Sequence, residues 1–80
     1  MPKVLEINGI RFFFYSNEGN PLEPAHIHVR RNEAVAKFWL EPEVRLVSSW
    51  GFKPKDLNWI EGMATEHRDR LLEAWNEHFS

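Results

Sequence analysis

Leu5-Glu6-Ile7-Asn8-Gly9-Ile10-Arg11-Phe12 is the stretch from which the fold is read. Asn8-Gly9 stands between two isoleucines, and both central positions of a type I′ turn need positive φ, which Asn and Gly tolerate. Folding the chain back at that turn sets Ile7 opposite Ile10 and Leu5 opposite Phe12 on one face. It sets Glu6 opposite Arg11 and Val4 opposite Phe13 on the other. An apolar set and an opposite-charge pair fall into place from a single turn position, which favours this register over a slip by one residue.

Working outward, Asn17 to Ala25 holds Gly19, Asn20, Pro21 and Pro24 and reads as a loop. His26 to Arg31 and Ala34 to Leu40 then form a second hairpin about Asn32-Glu33. Its register places Ile27 opposite Phe38 and Val29 opposite Ala36, with His28 opposite Lys37 and His26 opposite Trp39 on the other face. A fifth short strand runs from about Val44 to Ser49 and ends at Trp50-Gly51. From Pro54 the period becomes helical: Leu57, Ile60, Ala64, His67, Leu71, Trp75 and His78 recur at steps of three and four, and Met63, Leu72 and Phe79 widen the stripe. The expected fold is α+β, an antiparallel four- or five-stranded sheet with one long C-terminal helix packed on one face. Gly62 is the place where that helix would bend. Residues 1–80 read as a single domain.

A domain of 80 residues buries only about 60% of the surface its unfolded chain exposes, so association with another chain would help it. There is no cysteine, which removes disulfides and thiolate zinc and fits a cytoplasmic location. Net charge is −2, too small to imply bulk attraction to nucleic acid or an anionic membrane. The charge is unevenly spread. Residues 1–53 carry seven Lys/Arg and six Asp/Glu, whereas residues 54–80 carry three and six. The longest aromatic run, Phe12 to Tyr15, is far below the roughly 20 residues of a spanning helix, so no membrane association is expected.

One sheet face collects Leu5, Ile7, Ile10, Phe12, Phe14, Ile27, Val29, Ala36, Phe38 and Leu40, enough for the helix stripe to cover. The opposite face mixes Val4, Phe13, Tyr15, Val35 and Trp39 with Glu6, Arg11, His26, His28, Arg30 and Lys37. One helix does not cover both. Aromatic side chains and Arg are enriched at protein interfaces, so the leading reading of this second face is contact with a second copy or a partner protein. Its residues would be Arg11, Phe13, Tyr15, His26, His28, Arg30, Lys37 and Trp39. The same residues suit a single-stranded nucleic acid, with Phe13, Tyr15 and Trp39 on bases and Arg11, Arg30 and Lys37 on phosphates.

His26-Ile27-His28 supplies two imidazoles on one side of a strand, the chemistry of a general acid/base pair with Lys37 beside it. Whether the chain is an enzyme stays open, because catalysis needs a pocket and a positioned substrate that a sequence does not display. Two histidines do not complete a zinc site. A third ligand would have to come from Glu18, Glu23, Glu41, His67 or His78, and no metal or cofactor is expected. His67 and His78 lie on the helix stripe and read as hydrogen-bonded core histidines. Glu61, Glu66, Asp69, Glu73 and Glu77 read as a solvated helix face.

Three segments together carry a resemblance: Arg11-Phe12-Phe13-Phe14-Tyr15-Ser16-Asn17, Pro24-Ala25-His26-Ile27-His28-Val29, and His67-Arg68-Asp69-Arg70-Leu71-Leu72-Glu73-Ala74-Trp75. They resemble the bacterial family of short proteins catalogued as domain of unknown function 4160. The matching motif positions include His26, His28, His67, Arg68 and Trp75. Ala25 stands where that family usually has a second proline, and Lys53 where it usually has serine. The family is functionally uncharacterised. The resemblance implies genes commonly placed beside a second small family of unknown function, number 2442, in a pair similar to a type II toxin-antitoxin module. The function expected from it is one component of such a pair, acting through protein-protein contact. A nucleic-acid-binding or RNA-cleaving domain using the His26/His28 face is the alternative.

Lys53 precedes Pro54 at the helix start and offers no side-chain oxygen to an orphan helix N–H. Lys53→Ser is expected to raise stability by about 0.5–2 kcal/mol in urea denaturation. Coincident midpoints for the two proteins would show that no helix is capped there.

Overall fold

Asn8 (φ 52°) and Gly9 (φ 78°) both take the left-handed conformation that a type I′ hairpin requires. The structure, a computed structural model, describes residues 3–15 and 24–79. Strands β1 (Lys3–Ile7), β2 (Ile10–Phe13), β3 (His26–Arg31), β4 (Ala34–Trp39) and β5 (Arg45–Trp50) are followed by helices α1 (Pro54–Glu66) and α2 (Arg68–Phe79). The strands form one antiparallel meander in the order β1-β2-β3-β4-β5. The Asn17–Ala25 loop falls mostly outside the described residues, and Glu18 and Glu23 with it.

The expected registers are met in both hairpins. Ile7 pairs with Ile10, Glu6 with Arg11 and Leu5 with Phe12. His26, Ile27, His28 and Val29 pair with Trp39, Phe38, Lys37 and Ala36. In the second turn it is Asn32 that supplies the positive φ (54°). The first hairpin departs at its end. Phe13 pairs with Lys3 rather than Val4, because the register shifts between Lys3 and Leu5. Val4 is the extra residue of a bulge, and it packs against the core instead of joining the second face.

The core lies between the helices and the face carrying Phe12, Ile27, Val29, Phe38 and Leu40, all essentially without exposure. Ile60, Ala64, Leu71 and Trp75 supply the helical side of it. Ala25 belongs to it too, and its carbonyl accepts the Leu40 N–H at 2.9 Å, which extends the β3–β4 ladder by a pair. Alanine in the place of a proline therefore leaves the start of the histidine strand anchored. The first turn of α1 is tied to the sheet by Arg31, whose Nη2 lies 3.0 Å from Asp56 Oδ2 and whose guanidinium sits 5.4 Å from the Phe52 ring centre.

The helical region divides at His67, not at Gly62. His67 N–H→Met63 O closes the last turn of α1 and Leu71 N–H→His67 O the first turn of α2, with His67 itself a turn between them. What differs is side-chain competition for carbonyls. His67 Nδ1–H donates to Met63 O at 2.9 Å and Thr65 Oγ1–H to Glu61 O at 2.8 Å, a local back-bonding of the kind that bends helices. Gly62 is exposed, regular helix, and a Cβ added there would meet nothing within 4 Å. Gly51 is the opposite case. Its φ is +85°, and an added Cβ would come within 3.1 Å of Ala34.

Two glycine substitutions should therefore differ in sign. Gly62→Ala is expected to stabilise the protein by about 0.5–1 kcal/mol, since it removes only backbone freedom from the unfolded chain. Gly51→Ala should destabilise it by about 1–3 kcal/mol through a strained φ. Chemical denaturation midpoints moving the same way in both variants would contradict this placement.

Candidate functional site

Side chains that pair across an antiparallel ladder share a face, so the registers lay out the second face as rows running from β1 to β5. One row is Glu6, Arg11, Arg30, Val35 and Trp50, the next Lys3, Phe13, His28, Lys37 and Ser48, and the last His26, Trp39 and Arg45. All eight face residues expected from the sequence are thus on this side or at its end. Their environments differ sharply.

His26 has no exposure at all. Its Nδ1–H donates to the Pro24 carbonyl at 3.0 Å, which fixes the proton on that nitrogen. Its ring centre lies 4.8 Å from that of Trp75, 5.3 Å from His28 and 5.9 Å from Trp39. Trp75 also meets Phe14 edge-on at 5.3 Å, so α2 closes the end of the sheet with one indole against residues of both faces. The imidazole is a packed member of that closure. Trp75 of the helix motif acts here, while the other two motif residues hold the helix: Arg68 Nε–H donates to Leu40 O at 2.7 Å and its Nη2–H to Pro42 O at 3.2 Å. His67 shapes the helix break, and His78 is exposed rather than part of the core stripe. The expectation of a core histidine at His78 is corrected accordingly, since the helix has turned that position outward.

His28 is half-buried, stacked on Phe13 at 5.7 Å and edge-on to Tyr15 at 4.6 Å. Phe13 itself is only 5% exposed, so it supports the face from within. Lys37 Nζ sits 5.1 Å from the Trp39 ring centre, a cation–π contact that gives the ammonium a resting place on the surface. A shallow concavity of about 360 Å³ has Tyr15, His28, Val35, Lys37, Ser48 and Trp50 in its lining. Among the described residues no three of His, Cys, Asp and Glu come together as metal ligands.

Arg11 and Arg30 pair directly across β2 and β3. Like charges in that relation are destabilising. Arg30 Nε–H is tied to Asn32 O at 2.9 Å. Glu6 is next in the row, but Lys3 Nζ holds its carboxylate at 3.0 Å. That hydrogen bond and the Lys3 charge keep the Glu6 carboxyl below the usual carboxylate range, with Arg11 acting in the same direction. The contact is present above the ordinary carboxylate range and fades as acid protonates Glu6; being exposed, it is weakly stabilising.

Among the described residues, the most exposed apolar side chains lie on a strand that the sequence reading does not single out. Trp50 is 66% exposed, Leu46 42% and Val47 41%, all on β5; Trp50 pairs with Val35 on the second face, whereas Leu46 pairs with Phe38 and lies on the helix side. Val47 lies in a second register shift, between the pairs Lys37–Ser48 and Phe38–Leu46. The signal for these exposures was available: the last strand of a meander is an edge, and three large apolar residues in an edge strand have little to pack against.

Comparison with known proteins finds one family model, described as "Domain of unknown function (DUF4160)", matching residues 9–76. No curated protein and no solved structure matches the chain. No helix among the described residues is long and apolar enough to cross a membrane.

The two histidines should respond differently to truncation. His26→Ala is expected to cost about 2–5 kcal/mol, as for a large core side chain, and His28→Ala about 1 kcal/mol or less. Equal losses in urea titrations would mean that the two imidazoles share one role.

Proposed function

We propose, from the premise that this chain belongs to the DUF4160 family, that it is a binding module acting through protein-protein contact. It forms one component of a cytoplasmic, bacterial pair of the toxin-antitoxin type. The observation that carries the contact reading is the exposure of apolar side chains along the edge strand β5 and its neighbour: Trp50 with Val35 on the second face, Leu46 on the helix side and Val47 at the register shift. β5 is the last strand of the meander, so its outer backbone groups are open to pairing by a strand of another chain. The partner adds a strand to β5 and covers Trp50, while the row beside it sets orientation. The pairing with a neighbouring gene product rests on the family resemblance.

At the opposite edge, β1 carries the Val4 bulge, and Arg70 Nη2–H donates to the Val4 carbonyl at 3.4 Å. A bulge and a capped carbonyl are the features by which proteins blunt an edge. β5 has kept a bulge at Val47 but is six residues long and exposed along its whole length. The asymmetry supports one binding edge over two.

A second reading has one specific observation behind it, the concavity that brings Tyr15, His28, Lys37 and Ser48 to a common surface. There His28 would be the base and Lys37 the phosphate contact of an RNA-cleaving site.

Co-expression with the protein encoded beside it is expected to give a stable complex by size exclusion with light scattering. Trp50→Ser should weaken that complex by about 2 kcal/mol or more, as loss of a central aromatic anchor does. A complex indifferent to Trp50→Ser and Leu46→Glu overturns the β5 reading. Salt-sensitive binding or cleavage of single-stranded RNA by the isolated protein, lost in His28→Ala, moves the assignment to the second reading.

A further inference from the structure

Arg11 and Arg30 stand opposite one another at the charged end of the row that finishes at Val35 and Trp50. Both are exposed, and among the described residues neither forms an ion pair. Lys3 holds the Glu6 carboxylate, and the Asn32 carbonyl steadies the Arg30 guanidinium without neutralising it. Together with Lys3, Glu6 and Phe13, the two arginines line a pocket of about 210 Å³, more enclosed than the concavity beside His28. Three cations therefore surround one carboxylate, beside the ring of Phe13.

We infer that this pocket receives a carboxylate of the partner protein, supplied by an acidic side chain or a chain terminus. The inference rests on the partner-protein reading above and names the chemistry of the partner. Two guanidiniums lining one pocket offer N–H donors that match a carboxylate, and binding one offsets the repulsion between like charges at paired positions. A nucleic-acid backbone would need a track of available cations. The remaining ones on this face are already engaged: Lys37 lies over Trp39, and Arg45 Nε–H donates to Glu43 Oε1 at 3.0 Å. The basic site is a point rather than a track.

The row also sets a spacing. Arg11 on β2 and Trp50 on β5 are three strand intervals apart, about 14 Å. A partner segment that fills both ends carries an acid and an apolar anchor separated by about four residues if extended, or about nine if helical.

The test uses the full chain with three probes: N-acetylated, C-amidated hexaglutamate, hexaglutamine with a free C-terminal carboxylate, and decauridine RNA. Arginine Nε–Hε resonances are followed by NMR in low salt. Saturable shifts of Arg11 and Arg30 with hexaglutamate identify side-chain carboxylates as the ligand. The same shifts with hexaglutamine alone identify a chain terminus, and both outcomes support the site. Arg11→Gln and Arg30→Gln should each weaken peptide binding about tenfold while Lys55→Gln, on the exposed side of α1, leaves it unchanged. Decauridine binding at the arginines without peptide binding overturns the inference, as does the absence of any shift there. The two proposals fail separately. A complex indifferent to Trp50→Ser, with peptide still bound at the arginines, removes the β5 reading alone. A complex sensitive to Trp50→Ser, with no peptide bound and no effect of the arginine substitutions, removes the carboxylate site alone.

Discussion

Every other feature of this protein depends on the alternation of the central strand β3 and on the registers that hold it. Ile27 and Val29 face the helices while His28 and Arg30 face away, and pairing to Phe12, Ala36 and Phe38 continues the apolar side across three strands. A slip by one residue would turn Arg30 and Lys37 into the core and expose Phe38 and Val29. The cost of burying unpaired charge far exceeds that of any single contact on the surface. Two left-handed asparagines, Asn8 and Asn32, place the turns that prevent the slip.

The helices complete this arrangement through specific ties as well as apolar contact. Arg31 reaches Asp56 at the start of α1, Arg68 binds the carbonyls of Leu40 and Pro42, and Trp75 closes the sheet end over Phe14 and His26. Asp56 lies in the first turn of its helix, where a carboxylate is favoured by the unsatisfied N–H groups. The Arg68 ties fall immediately after the break at His67, so the bend and the anchoring of α2 occur at one place. The family-like histidine, arginine and tryptophan of the helix thus read as architecture, and the functional face is left to the sheet.

That face is divided electrically and by polarity. The acidic side chains Glu61, Glu66, Asp69, Glu73 and Glu77 are exposed on the helices, while Arg11, Arg30 and Lys37 lie on the far side of the sheet. A net charge of −2 conceals this separation. Local charge placement governs orientation and partner choice more than the sum does, which is why a chain of nearly balanced composition presents a basic pocket at one end of a row and an exposed tryptophan at the other.

The amino-acid sequence by itself determined the two hairpins, their registers except at Val4, the core face and the start of the helix. These follow from turn chemistry and from periods of two and three to four, which act over a few residues. It also indicated which residues share the second face, because alternation is a local property. What only the tertiary structure decided is how deeply each of them is buried. His26 and His28 are two residues apart and identical in type, yet one is sealed beneath Trp75 from α2 and the other borders a surface concavity. Val4 leaves the face through a bulge, and the helix divides at His67 because two side chains compete for carbonyls, not because Gly62 is weak. Among the described residues Trp50 is the most exposed of the large apolar side chains because β5 has a neighbour on one side alone. Burial is set by elements distant in sequence, and a pattern of residue types along the chain carries no measure of that distance.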